Sequence, residues 1–206
     1  MRSTILFMVI VFSWPWAMQA QFTPNPSGPD INFGQYYSTS ATITAINPDL
    51  LFGPVIAGQP PKEVEIDSGD AAILEIEGLP FLDVIIEITG AGLTINNGFL
   101  YLDGDAACTT VDCRIPVTYG FAFDNSGGTM PDATQAVDFT INPVLYPMTR
   151  RTAGAPPGPP PTPEIAGVNL PAAVSTFLFI YGTITSDPAN QAGAYESTLT
   201  IEVTYN

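Results

Sequence analysis

The sequence predicts an all-β protein folded as a β-sandwich. Polar and apolar residues alternate in several short segments, turn-forming residues separate these segments, and the 3.6-residue periodicity of helices is nearly absent. The clearest strand runs from Tyr195 to Tyr205, with one apolar face formed by Leu199, Ile201, Val203 and Tyr205. Many short strands divided by turns are typical of a sandwich, and a closed barrel is the main alternative.

The other predicted strands follow from the same alternation or from runs of β-branched and aromatic residues. They lie at 41–46, around Val64 and Ile66, around Leu74 and Ile76, at 84–88, 99–102, 116–123, 136–141 and 176–184. Turns are expected at 67–70, 96–98, 124–128 and 186–190, where Gly, Asn, Asp, Ser and Pro cluster.

The N-terminus has the pattern of a secretory signal peptide. Arg2 provides a positive charge, Ile5 to Phe12 form a short apolar run, and Ala17-Met18-Gln19-Ala20 provides a small-residue cleavage site. The apolar run is too short for a membrane-spanning helix, which needs roughly 20 residues. We therefore expect residues 1–20 to be removed, and we expect the mature chain to contain no transmembrane segment.

The remaining chain predicts one domain with an extended arm. Residues 21–40 contain three prolines and are expected to form this arm, and residues 41–206 are expected to form a single β-sandwich domain. The proline-dense stretch 153–163 predicts an extended surface loop. A linker between two domains is the alternative, but the segment after it supplies too few strands to bury a core alone.

The charge of the chain excludes some classes of partner. The formal net charge is −15, with 20 acidic and five basic residues. Nucleic acids and anionic membrane surfaces are bound by clustered Lys and Arg, which this chain does not have. We therefore expect no nucleic-acid partner. The acidic composition fits plain solubility or a saline habitat.

Two cysteines, Cys108 and Cys113, are the whole cysteine content. Their close spacing in an exported chain predicts a disulfide between them. A redox pair or a metal site are the alternatives. A redox pair is normally spaced CxxC, and a zinc site would need two further Cys or His ligands.

The sequence predicts no enzyme, no cofactor and no metal site. The chain contains no histidine, so a Ser-His-Asp or Cys-His arrangement cannot be built. Asp103-Gly104-Asp105, with Asp112 nearby, has oxygen ligands suitable for Ca²⁺, but it does not have the longer pattern of a calcium loop. We expect an acidic turn there.

The C-terminal segment resembles the closing strand of chaperone–usher pilus subunits and of the spore coat protein U family. Those proteins end with a Gly-x-Tyr turn, an alternating strand and a penultimate Tyr, which match Gly193, Tyr195 and Tyr205 here. The stretch Asp49-Leu50-Leu51-Phe52-Gly53 is similar to the motif that follows their first strand, and a family of exported bacterial domains, DUF4402, shares both features. The resemblance covers residues 41–53 and 180–206.

The resemblance implies an immunoglobulin-like sandwich that is incomplete and is completed by donor-strand addition from another subunit. It implies a groove that binds a subunit or a chaperone at Gly193, Tyr195, Leu199, Ile201, Val203, Tyr205 and Asn206. The donor is expected in the arm, with Ile31, Phe33 and Tyr37 sharing one parity. Two alternatives remain, a donor that contains Ile43 and Ala45 and a disordered leader at 21–40.

The function that the resemblance implies is a structural subunit of a bacterial surface fibre, pilus or coat. Its partners would be copies of itself or related subunits, together with a periplasmic chaperone and an outer-membrane usher. The protein would pass through the periplasm of a Gram-negative-type bacterium to the cell surface. The alternative is a self-contained secreted module that binds a carbohydrate or a protein through the proline loop and the 124–135 region.

Overall fold

The computed structural model describes residues 41–80, 82–140, 143–151 and 173–206. The predictions for the signal peptide, the arm with Ile31, Phe33 and Tyr37, and the loop 153–163 fall outside these residues. Within the described ranges the only helical element is a 3-10 turn, Val111–Cys113, and no helix there is long and apolar enough to cross a bilayer. The predicted all-β class is confirmed.

The strands of the described residues are numbered in chain order. They are β1 Thr42–Asn47, β2 Lys62–Val64, β3 Ala72–Gly78, β4 Asp83–Gly90, β5 Asn97–Leu102, β6 Arg114–Asp124, β7 Val137–Phe139, β8 Val144–Pro147, β9 Val174–Ile184, β10 Tyr195–Glu196 and β11 Leu199–Tyr205.

These strands form two antiparallel sheets that share one core. The large sheet has the order β1-β3-β9-β6-β5-β10, with β2 also paired to β9 and β7 also paired to β6. The small sheet has the order β11-β4-β8. Side chains from both sheets, among them Phe123 of β6, Leu178 of β9 and Ile86 of β4, belong to one buried cluster. This arrangement is consistent with the predicted β-sandwich.

The central strand β9 is buried on both faces. Leu178 and Ile180 face the core between the sheets, while Phe177 and Phe179 belong to a second cluster on the outer face with Ala122. Partly buried side chains cover this outer cluster, namely Ile66, Ile73, Ala133, Ala136 and Tyr181. A strand covered on both faces loses its polar alternation, which explains the continuous apolar run from 177 to 180.

The edge strand β1 has the opposite environment. Five of its six residues are exposed, including Ile43 and Ile46. It is held by its ladder to β3 and by the Asn47 side chain, whose Nδ2 donates to the carbonyl oxygen of Ala71 at 2.6 Å. The predicted strand at 41–46 is therefore present, but it adds little apolar burial.

Three details differ from the sequence predictions. The strand expected to include Ile66 ends at Val64, because residues 66–67 turn the chain toward β3. The single strand expected from Tyr195 to Tyr205 is divided at Ser197–Thr198, because β10 pairs with β5 and β11 pairs with β4. Strand β8 was not predicted, since its four residues are too few to show an alternation.

The region 124–135, suggested as a ligand-binding edge, contains a buried anchor. Asp124 is buried, and its carboxylate accepts hydrogen bonds from the backbone N–H groups of Ser126 at 2.9 Å and Asp132 at 3.3 Å. The neighbouring Asn125 donates from Nδ2 to the carbonyl oxygen of Pro147 at 2.8 Å and accepts from Arg150 Nε. These contacts fix the turn against the sheets, which is a structural role.

Tyr181 on β9 links the outer face of the large sheet to β7. Its ring lies over Gly120 of β6, where an added Cβ would come within 2.2 Å of the ring. Its hydroxyl donates to Asp138 Oδ1 at 2.7 Å. Burial raises the pKa of Tyr181 well above its ordinary value of 10.0, and the hydrogen bond to Asp138 and its negative charge raise it further.

We expect stability to fall in alkali partly through this tyrosine. Because its pKa is raised on folding, the folded chain holds the proton more tightly than the unfolded chain does. The resulting stabilisation is present below pH 10 and is lost as the pH rises from there toward the folded-state pKa. Urea unfolding from neutral pH to about pH 11 should show a smaller decline for Tyr181→Phe than for the wild type. An identical decline in both proteins would contradict the assignment.

Candidate functional groove

A groove lies beside the small sheet, over part of the inner face of the large sheet. The groove has a volume of about 1240 Å³. Its apolar lining comes from the inner face of the large sheet, from β11 and from the segment 48–57. The main contributors are Leu50, Phe52, Val55, Ala72, Leu74, Leu100, Ile115, Tyr119, Ile180, Ile184, Leu199 and Ile201.

The position of the groove follows from where the two sheets touch. Tyr146 of β8 packs on Phe123 of β6 with ring centroids 4.4 Å apart. The Tyr205 hydroxyl of β11 lies close to Gly78 and accepts a hydrogen bond from the backbone N–H of Leu79 at 3.0 Å. These contacts involve the C-terminal parts of β6 and β3. The groove lies over the N-terminal parts of the same strands, at 115–119 and 72–74.

Strand β11 forms one side of the groove and is only half buried. Leu199, Ile201, Val203 and Tyr205 point into the sandwich, as do Val84, Ile86 and Ile88 on the neighbouring strand β4. The β4 side chains are at most 1% exposed, whereas the four β11 side chains are all of intermediate exposure. The difference arises because β4 has strands on both sides and β11 has one neighbour among the described residues.

On the outer edge of β11, no strand of the described residues pairs with the backbone. Asn206 lies opposite Asp83, and its N–H donates to the Asp83 carbonyl oxygen at 3.0 Å. In an antiparallel ladder such bonded pairs alternate with non-bonded pairs. The odd-numbered residues 199–205 therefore turn their N–H and C=O groups away from β4. These are the same residues whose apolar side chains face the sandwich.

The segment 48–57, which includes the Asp49–Gly53 motif, forms another side of the groove. The backbone N–H of Leu51 donates to the Asp70 carbonyl oxygen at 2.9 Å, and the side chain of Phe52 is buried. Gly53 has a φ of 63°, a left-handed conformation that favours glycine. Lys62 Nζ donates to the Pro54 carbonyl oxygen at 3.2 Å, which holds the segment on the strand β2.

One end of the groove is closed by residues 190–198. Gly193 packs so closely on Leu102 that an added Cβ would lie 2.3 Å from the Leu102 Cδ1 atom. The Tyr195 hydroxyl lies 3.0 Å from the Asp112 carbonyl oxygen and 2.8 Å from the Gln191 carbonyl oxygen, and these two acceptors share its one proton. Burial raises the pKa of this phenol.

The groove carries negative charge. Its described lining includes three carboxylates, Asp49, Asp103 and Glu196, and no Lys or Arg. Tyr119 also lines the groove, and burial raises the pKa of its hydroxyl. A groove with many apolar side chains, beside a strand edge that has no partner among the described residues, is suited to an extended peptide segment, since such a segment offers alternating side chains and backbone hydrogen bonds.

Four of the seven sequence-predicted groove residues line the groove, namely Gly193, Tyr195, Leu199 and Ile201. Val203 and Tyr205 lie on the same face of β11 but outside the groove, toward the hydrogen bond between the Tyr205 hydroxyl and Leu79. Asn206 is exposed and is hydrogen-bonded to Asp83. The inner-face residues of β3, β6 and β9 were not expected in this site. Their alternation marks them as apolar, but only the complete fold shows which of these buried residues line the groove.

Cys108 and Cys113 are joined by a disulfide, with their Cα atoms 6.1 Å apart. Asp103 and Gly104, both at positive φ, form a tight turn near them. The Asp105 carboxylate accepts from the Ala107 N–H, while Asp112 accepts from Gln191 Nε2. The hydrogen bonds from Thr110 and Gln191 lower the pKa of Asp112. In the described ranges, no three Asp, Glu or Cys side chains converge as metal ligands.

Comparison of the chain with models of protein families, with curated proteins and with solved structures found no match. The resemblance to pilus and coat subunits therefore rests on the residues and motifs named above.

Proposed function

We propose that the protein is a non-enzymatic structural subunit of a bacterial surface fibre, pilus or coat, and that its subunits join by β-strand addition. The observation that carries the proposal is β11, a strand whose apolar face is half buried and whose outer edge, among the described residues, has no partner strand beside the groove. Exposed edges of this kind promote association, and natural proteins usually cover or charge them. Here many of the groove side chains are apolar, which favours an inserted strand.

The proposed donor is the N-terminal arm of a second copy. Twenty residues lie between Ala20 and Ala41, and a strand rises about 3.3 Å per residue, so the arm is longer than a strand that would pair with all seven residues of β11. Ile31, Phe33 and Tyr37 share one parity and would enter the groove from the same face. Each buried side chain of this size contributes about 1.5–3 kcal/mol.

The proposed route to the surface requires export and protection of the groove. The signal-peptide pattern at 1–20 accounts for export, and the disulfide is compatible with an oxidising compartment such as the periplasm. A subunit with an open apolar groove would aggregate without a cover. A periplasmic chaperone and an outer-membrane usher are the partners that meet this need.

The proposal is tested by one substitution in the arm and its matched control. In the mature chain, Phe33→Asp places a carboxylate in the apolar groove and should weaken association by several kcal/mol. Asn32→Asp adds the same charge on the opposite face of the arm and should assemble like the wild type. Sedimentation and negative-stain microscopy would compare the three proteins at equal concentration.

Two outcomes would contradict strand addition by the arm. One is fibre formation by Phe33→Asp at the wild-type concentration. The other is a wild-type protein that stays monomeric under every condition, including its native extract. In the second case a self-contained secreted binding module would become the better description.

A further inference from the structure

Residues 190–198 form the wall that closes one end of the groove. The loop of residues 103–114 is hydrogen-bonded to this wall. Asp112 is the centre of these contacts. Its carbonyl oxygen accepts from the Gln191 N–H at 2.8 Å and from the Tyr195 hydroxyl at 3.0 Å. Its carboxylate accepts from Gln191 Nε2 at 2.7 Å. One residue of the loop thus fixes both the backbone and a side chain of the wall.

Further hydrogen bonds continue this attachment on both sides of Asp112. Asn190 Nδ2 donates to the carbonyl oxygens of Val111 at 2.5 Å and Arg114 at 3.1 Å. The N–H of Asp103 donates to the Ala194 carbonyl oxygen at 2.7 Å. The wall is therefore bonded to the loop at three of its residues in addition to Tyr195.

The loop itself has no apolar anchor. None of its residues from 103 to 114 is buried, and all of them are exposed or of intermediate exposure. Burial of side chains therefore cannot fix the positions of the carbonyl groups of Val111 and Asp112. The covalent link between Cys108 and Cys113 restricts the loop beside these two acceptors. The disulfide lies outside the groove, next to Leu102 and Ala107.

We propose that the disulfide-braced loop makes this wall a fixed stop, which sets the register of the strand that inserts beside β11. The inference rests on the proposed function, with the arm of a second copy as the inserted strand. Register matters because a slip of one residue turns every apolar side chain of a strand to the opposite face. A stop of fixed position permits one register, whereas a loose wall permits several.

The first experiment tests the brace and does not depend on assembly. Hydrogen exchange of the mature monomeric chain is compared between the wild type and the Cys108→Ser/Cys113→Ser double variant. We expect exchange in segments 103–114 and 190–196 to become at least about tenfold faster in the variant, because local opening is no longer restricted. Exchange in β3 and β9 should not change. Equal exchange of 190–196 in both proteins would overturn the inference.

The second experiment tests the register in the assembled protein. In wild-type polymers we expect one sharp set of protected amides on the outer edge of β11, including Ile201 and Val203. Because only odd-numbered amides of β11 face this edge in any register, the register is read from the inserted arm: its protected amides should have one parity in the wild type and both parities in the double variant, with subunit release at least about tenfold faster. An unchanged protection pattern and release rate, despite a loosened wall, would overturn the register assignment.

A second variant keeps the disulfide and weakens the wall directly. Tyr195→Phe removes the hydrogen bonds from the hydroxyl to Asp112 and Gln191 and keeps the ring. It should show the same changes to a lesser degree, whereas Thr109→Ser in the loop should behave like the wild type. If the wild type forms no polymer at all, the proposed function fails, and the exchange of the monomers still decides whether the disulfide holds the wall.

Discussion

The Ile201→Asp variant should fold and yet associate at least about 100-fold more weakly than the wild type. Ile201 lines the groove from β11 and is only half buried in the single chain, so a polar replacement there can remain hydrated in the monomer. An inserted strand would cover the carboxylate and remove its water. The combined loss of apolar burial and the cost of a buried charge is expected to exceed about 3 kcal/mol, and each 1.4 kcal/mol is a factor of ten.

The neighbouring Thr200 provides the control for this prediction. Thr200 is exposed on the opposite face of β11, so Thr200→Asp adds the same charge at nearly the same place without entering the groove. Sedimentation equilibrium would measure association, and circular dichroism would verify that both variants are folded. Equal weakening by the two substitutions would indicate a general effect of charge and would remove the groove from the mechanism.

The Phe123→Ala variant should lose about 3–5 kcal/mol of its free energy of unfolding. Phe123 has no exposed surface, lies at the centre of the shared core and packs against Tyr146 across the two sheets. Its truncation leaves a cavity between rigid strands that cannot close. For a domain of this size the expected fall in Tm is about 6–20 °C.

Leu145→Ala is the matched control for the core substitution. Leu145 lies on β8 beside Tyr146, but its side chain is 52% exposed. Surface truncations usually change stability by at most about 0.5 kcal/mol. Urea unfolding of both variants would separate the two positions. A small effect at Phe123 would mean that the sheets do not pack on each other as described.

The sequence predicted those strands best that have one covered face. On β4 and β11 the alternation of apolar and polar residues matches the burial of their side chains, because solvent lies on the outer face. On β9 the outer face is covered by Ile66, Ala133 and Ala136. The sequence therefore predicted that this segment is a strand, but it could not predict that both faces of the strand are buried. Those covering residues come from distant loops, and their position depends on the complete fold.

The candidate groove was predicted in part for a similar reason. The pattern of residues 199–205 indicated an apolar strand face, and the resemblance suggested that this face adjoins a groove. The floor of the groove, with Leu74, Ile115 and Ile180, depends on how far a three-stranded sheet extends over the large sheet. The alternation of residues along single strands gives no information on the relative size of two sheets. The hydrogen bonds of the loop 103–114 could not be predicted from the sequence either, because they join residues about 80 positions apart, such as Asn190 and Val111.

The central place of β9 has a consequence for the order of folding. This strand pairs with β3 and β2, which precede it by about a hundred residues, and with β6. The large sheet therefore cannot close until the chain has emerged as far as residue 184. Until then β3 and β6 lack the strand that pairs with both of them. Contacts of such long sequence separation slow folding, so the chain is expected to fold late and slowly rather than during its synthesis.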